Sequence, residues 1–238
     1  MKILMLHGSR QSGELFRAKL QALEKLFQRA FGPFQPGTNE LIYPTAPFPL
    51  VSPSGTSELR DRHGAWSWFQ SESIDGVLPG LNDSLLSIAS ILKESGPFDG
   101  IIGFSQGGAL AAMIASLLEE NRSDAFTQLS SEGGIEFPEA FAQLTHPPLN
   151  FVGSISGYAV SHLDYCAFYS PAIRTPTLHF LGSMDTIVEE EVSMKLVHYC
   201  HEGNKTSPIV VRHSGGHIVP GGKKELSVVT QFIKLHTS

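Results

Sequence analysis

Cysteine is scarce in this chain. Its 238 residues include only Cys166 and Cys200, too few for a disulfide framework at this length and in keeping with a reducing compartment. Long apolar runs are missing too. No stretch approaches the roughly 20 apolar residues that a membrane helix needs, and the apolar run Ile3 to Leu6 falls short of the roughly 7–15 residues of a secretory h-region. A soluble, cytoplasmic protein with no membrane span is therefore expected. There is no basic excess either: 17 Lys and Arg stand against 23 Asp and Glu, a net charge of -6, which leaves no electrostatic footprint for nucleic acid. The chain has no G-x-G-x-x-G, and "GHIVPGGKK" keeps neither the spacing nor the terminal Ser or Thr of a phosphate loop. "HYCH" (198–201) lies in an amphipathic stretch with no second ligand pair nearby, so no metal or cofactor is expected. No internal repeat is visible.

What the sequence does contain is alternation. Apolar runs of strand length occur at 2–7, 39–44, 99–104, 149–157, 175–182 and 207–214, and helix-length amphipathic stretches at 14–31, 84–96, 106–120, 189–201 and 223–236. That rhythm predicts an α/β fold with a mostly parallel central sheet flanked by helices, in a single domain over 1–238. Two segments break it. Residues 44–80, rich in Pro, Ser and Gly, and residues 121–148 read as irregular cap or lid loops. Trp66, Trp68 and Phe69 in the first are candidates both for an edge of the core and for a substrate-contacting wall.

The chemistry centres on "DGIIGFSQGGALAAM" (99–113), where an apolar strand must bend sharply into a small-residue helix at Ser105. This is the context a nucleophile elbow requires: the turn lifts the hydroxyl above the sheet, and the glycines let strand and helix close on each other. A serine hydroxyl is a weak nucleophile at neutral pH, so it needs a base and a group to orient that base. In the order Ser, acid, His of the α/β hydrolases, Asp185 follows the strand "TLHFLG" and His217 follows the strand "SPIVVRHS". Asp164 and Glu189 compete for the acid, but the first sits in a less regular segment and the second reads as helix N-terminal charge. His213 competes for the base but lies at a strand end. The remaining histidines, such as His7, His198, His201 and His236, read as packing or surface residues. Oxyanion donors are expected from the backbone N–H of Gln106 and, after the first strand, of Ser9, with Arg10 the fallback.

"LHGSRQSG", "PTAPFP", "AWSWFQSE", "GPFDGIIGFSQGGAL", "PTLHFLGSMDTIV" and "SGGHIVP" follow one another as in the fungal serine-hydrolase family abbreviated FSH, which the chain resembles over nearly its whole length. The resemblance implies an α/β-hydrolase fold and a Ser-Asp-His triad on Ser105, Asp185 and His217. It also implies esterase or thioesterase activity. "PTAPFP", "SWF" and "RTPTLHF" are similar to the lovastatin-pathway type of trans-acting polyketide thioesterase, which implies an acyl-carrier domain of a polyketide synthase as partner. Two alternatives stay open: an acyltransferase or carbon–carbon bond-forming enzyme working through the same acyl-enzyme, and a non-catalytic binding module.

Overall fold

The computed structural model describes residues 1–35, 37–50, 64–70, 76–200 and 207–237. Six strands build its central sheet: β1 (Lys2–Leu6), β2 (Glu40–Ile42), then β5 (Gly100–Phe104), β6 (Phe151–Ile155), β7 (Thr177–Gly182) and β8 (Ile209–His213). They lie in the order β2-β1-β5-β6-β7-β8, and every neighbouring pair is parallel. A separate two-stranded antiparallel ribbon pairs β3 (Phe48–Pro49) with β4 (Trp66–Ser67).

Side chains alternate across a strand, and the strands feed two apolar layers accordingly. Leu4, Leu6, Ile101 and Val152 join the layer that holds α3 (Leu81–Ser95) and α4 (Gln106–Leu117). Ile3, Met5, Ile102, Phe104 and Phe180 join the opposite one. There they meet α1 (Gly13–Lys19), α2 (Gln21–Phe31) and α8 (Lys223–His236). A parallel sheet covered on both faces needs such near-continuous apolar strands, and β1, β5, β6 and β7 have them. The expected parallel α/β architecture holds.

Three expectations are revised. The stretch 14–31 is two helices: the chain turns at Leu20 (φ -95, ψ 10), whose N–H donates to both Phe16 and Arg17 carbonyls. Phe16, Leu20, Leu23 and Phe27 are all buried, so the apolar spacing runs through the break and hides it. The stretch 121–148 is not irregular throughout, since it forms α5 (Arg122–Ser130) and α6 (Glu139–Ala142). Only Arg122 and Phe126 are buried in α5 and Phe141 in α6, too few apolar positions to show a helical period. Residues 44–80 are likewise not all loop, since they hold the β3–β4 ribbon. Positions 51–63 and 71–75 of that segment lie outside the described residues. The last helix of the sheet layer, α7 (Glu190–Tyr199), follows β7 as predicted, with Cys200 as its C-terminal cap and His201 outside the described residues.

Candidate active site

Strand β5 ends at Phe104 and α4 begins at Gln106, so the whole reversal is made at Ser105. Its φ of 54 and ψ of -119 are unfavourable for a residue with a Cβ. What holds it there is the packing of the two elements it joins. Its N–H donates to the Ile155 carbonyl at 2.8 Å. A Cβ at position 103 would run into the Gly107 carbonyl, and one at 107 into the Leu6 carbonyl. Glycine at both positions lets α4 sit on the sheet at the distance that forces the bend.

Loops at the ends of β7 and β8 bring two further side chains to this point. Ser105 Oγ lies 2.9 Å from His217 Nε2, and His217 Nδ1 lies 2.8 Å from Asp185 Oδ2. An ionised carboxylate can only accept, so His217 carries its proton on Nδ1 and leaves Nε2 as the acceptor for the serine hydroxyl. The Phe104 ring packs against the imidazole with centroids 4.8 Å apart. Asp185 Oδ1 accepts from the N–H groups of Ile187 (3.0 Å) and Val188 (2.9 Å). Burial alone would raise the Asp185 carboxyl, but hydrogen bonding from Val188, His217 and Ile187 outweighs it and holds the group below the usual carboxylate range. The acid is therefore charged at neutral pH.

The competing residues lie elsewhere. Asp164 pairs with His162 at 3.1 Å, Glu189 caps α7, and His213 is fixed at the end of β8, where its Nδ1 accepts from Gly215 N–H. Arg10 N–H is taken by the Trp66 carbonyl at 2.9 Å. The N–H groups of Ser9 and Gln106 have no hydrogen bond to any described residue, and both residues line the cleft beside Ser105.

That cleft encloses about 910 Å³. Phe69 and Phe48 form part of its wall, with Leu78, Val160, Val188 and Val192. The three aromatics named from the sequence divide. Phe69 faces the cleft. Trp68 is completely buried and its indole N–H donates to the His7 carbonyl at 2.9 Å, so it is core rather than a wall for substrate. Trp66, half-buried, is bound by its backbone to Arg10 and Gln11 and does not line the cleft. Residues 121–148 do not line it either; part of them walls a separate groove of about 890 Å³ against α3 that contains neither Ser105 nor His217.

The sequence reading named Gln106 only for its backbone N–H and His7 only as a packing or surface residue; it missed what their side chains do here. The Gln106 side chain clamps the 67–69 segment: its Oε1 accepts from Trp68 N–H (2.8 Å) and Ser67 Oγ (3.0 Å), and its Nε2 donates to the Phe69 carbonyl (2.7 Å). His7 donates from Nδ1 to the Gly8 carbonyl (2.7 Å) and accepts at Nε2 from Ala46 N–H (3.0 Å), tying the loop after β1 to the segment leading into β3. Burial pushes this imidazole down to about 4, against a smaller opposing effect of the Gly8 bond, so it is neutral. "LHGSR" hinted at His7 only as part of a turn.

A strained serine between a parallel strand and a buried helix, with a histidine and a carboxylate delivered from the ends of later strands, defines the α/β-hydrolase class. The serine hydrolase (FSH1) family model matches residues 1–229, and the chain belongs to that family. It is a hydrolase enzyme. Esterase OVCA2 of Danio rerio is 30% identical over 253 residues, covering 98% of this chain and 96% of that protein. Family of serine hydrolases 2 of Saccharomyces cerevisiae is 29% identical, covering 98% and 97%. A protein named dihydrofolate reductase from Schizosaccharomyces pombe is 30% identical over 231 residues, which cover 92% of this chain but only 44% of that much longer protein. Among solved structures, acyl-protein thioesterase 2 of Zea mays superposes with a TM-score of 0.59 at 18% identity, over 100% of this chain and 94% of that one. SOBER1 of Arabidopsis thaliana does so at 0.61 and 20%, over 100% and 99%. At that identity the likeness is one of fold.

Proposed function

We propose that the protein hydrolyses carboxylic esters or thioesters of apolar acyl chains through a covalent acyl-enzyme on Ser105. The reading is carried by the relay from Asp185 through His217 to Ser105, with links of 2.8 and 2.9 Å, opening into a cleft walled in part by Phe48, Phe69, Leu78, Val160, Val188 and Val192. Ser105 Oγ attacks the carbonyl carbon as its proton passes to His217 Nε2. Asp185 holds the ring in the tautomer this requires and stabilises the imidazolium. The tetrahedral oxygen receives hydrogen bonds from the N–H groups of Ser9 and Gln106, and α4 adds its positive end. Collapse expels the alcohol or thiol, which takes the proton from His217. Water then enters, loses a proton to the same nitrogen, and releases the acid. A finer form of the reading makes the substrate the acyl thioester of a carrier domain of a polyketide synthase, in the cytoplasm. The family resemblance of "PTAPFP", "SWF" and "RTPTLHF" supports it.

The test is steady-state hydrolysis of a series of acyl esters and the matching thioesters by the wild type and Ser105→Ala. The expected result is turnover by the wild type and a loss of about 10³-fold or more in kcat for the folded variant. Equal turnover by both removes Ser105 from the role.

A further inference from the structure

Two compartments meet at Ser105. Besides the 910 Å³ cleft, a smaller one of about 380 Å³ shares Ser9 and Ser105 with it and adds His217, Gln11, Lys19 and Ile218. Within the reading above, the group that leaves must take its proton from His217, so it occupies the compartment that contains His217. The acyl chain is left with the larger cleft. The polar side chains of the smaller compartment, Gln11 and Lys19, then bear on the leaving group.

Two of its lining residues are unspent by the fold. Gln11 is 7% exposed, and its Oε1 has no hydrogen-bond partner among the described residues, a cost that a buried amide rarely carries without a reason. A half-turn about its last bond exchanges oxygen and nitrogen, so this amide can meet either the N–H or the C=O of another amide. Lys19 is exposed and forms no ion pair with a described residue. No described Asp or Glu lines either compartment, and among the described residues the charged side chains that do are the cations Arg10 and Lys19.

We propose that Gln11 and Lys19 form a leaving-group subsite that selects acyl substrates whose leaving group carries an amide near the scissile bond and a negative charge beyond it. The compound class that combines both on one leaving group is the thioester of an amide-containing, phosphate-terminated thiol arm. Such an arm is either free, as in a coenzyme A thioester, or attached to a carrier protein. This rests on Ser105 and His217 as the reacting pair.

The experiment compares kcat/KM for one octanoyl group on three thiols: propanethiol, N-acetylcysteamine and coenzyme A. The wild type should improve from each to the next, by about twofold to tenfold for the amide and about twofold to fivefold for the charge, with the second step shrinking at high salt. Gln11→Met should compress the first step, Lys19→Gln the second, and Lys19→Arg should restore it. Because Lys19 also lies in the last turn of α1, where a cation favours the helix, thermal unfolding is followed for each variant. A carrier-loaded octanoyl group compared with the coenzyme A thioester shows which source the site prefers. A flat wild-type series overturns the subsite without any variant, as do steps that survive both substitutions or losses equal across all three thiols. Labelling of Ser105 by a fluorophosphonate without turnover of any thioester overturns it too. The absence of both labelling and turnover in the folded protein would remove the hydrolase reading itself.

Discussion

Asp185 has two oxygens and three hydrogen-bonding neighbours to serve, and this division of labour makes it more than a counter-charge. One oxygen is fixed by the N–H groups of Ile187 and Val188, and the other faces His217. Replacing it with Asn keeps the size but offers an N–H where the imidazole needs an acceptor, so the ring flips to the wrong tautomer. Asp185→Asn should lower kcat by about 10⁴-fold, and steady-state kinetics on the folded variant check it. Ser105, Asp185 and His217 were legible because strand, turn and helix signals placed each at the end of a strand in a fixed order. Trp68 was not. "AWSWF" shows alternation but not which face is buried, and the indole is drawn inward by the His7 carbonyl, a partner 61 positions away that no local pattern reveals.

Among the elements, the β5–α4 bend depends on two glycines and one amide. Gly107→Ala would drive a methyl group into the Leu6 carbonyl, and since backbone cannot yield as a side chain does, a loss of more than about 3 kcal/mol is expected, read from urea unfolding. Gln106→Ala acts differently. It leaves Trp68 N–H without its buried partner, at about 1–3 kcal/mol, and loosens Phe69, whose carbonyl keeps only the Ser67 hydroxyl, from the cleft wall. KM for long acyl chains should therefore rise more than KM for acetyl, and an equal change for both would show that Gln106 does not set the wall. The existence of most elements was legible from their periods. The break at Leu20 was not, because the buried stripe continues through it, and α5 was missed because a mostly polar helix carries no period to read.

For the molecule as a whole, buried histidines set the response to acid. His7 and His179 are almost fully buried, 0% and 2% exposed. Burial pushes both down to about 4, opposed in His7 by its bond to Gly8. Unfolded, both would titrate near 6.5. Between these values the unfolded chain binds protons that the folded one refuses, so the stability present above about pH 6.5 drains away as pH falls toward 4. Denaturant midpoints at several pH values should decline across that window, and His179→Leu should flatten the decline; a midpoint constant from pH 7 to 4.5 would contradict it. Below the window, protonation of Asp185 removes a further contribution as pH falls through its depressed value. The parallel sheet was legible at this scale, but its spatial order was not. That β1 lies between β2 and β5 is decided by where crossover helices fit on the two faces, which depends on packing between distant segments.

The central claim is that His217 makes Ser105 nucleophilic. The most direct measurement is the rate at which a fluorophosphonate forms a covalent adduct, with the modified peptide identified by mass spectrometry, for the wild type and His217→Ala. The account predicts one adduct, on Ser105, forming at least about 10³-fold more slowly without the imidazole. An adduct on another residue, or one on Ser105 that forms as fast in His217→Ala as in the wild type, would contradict it.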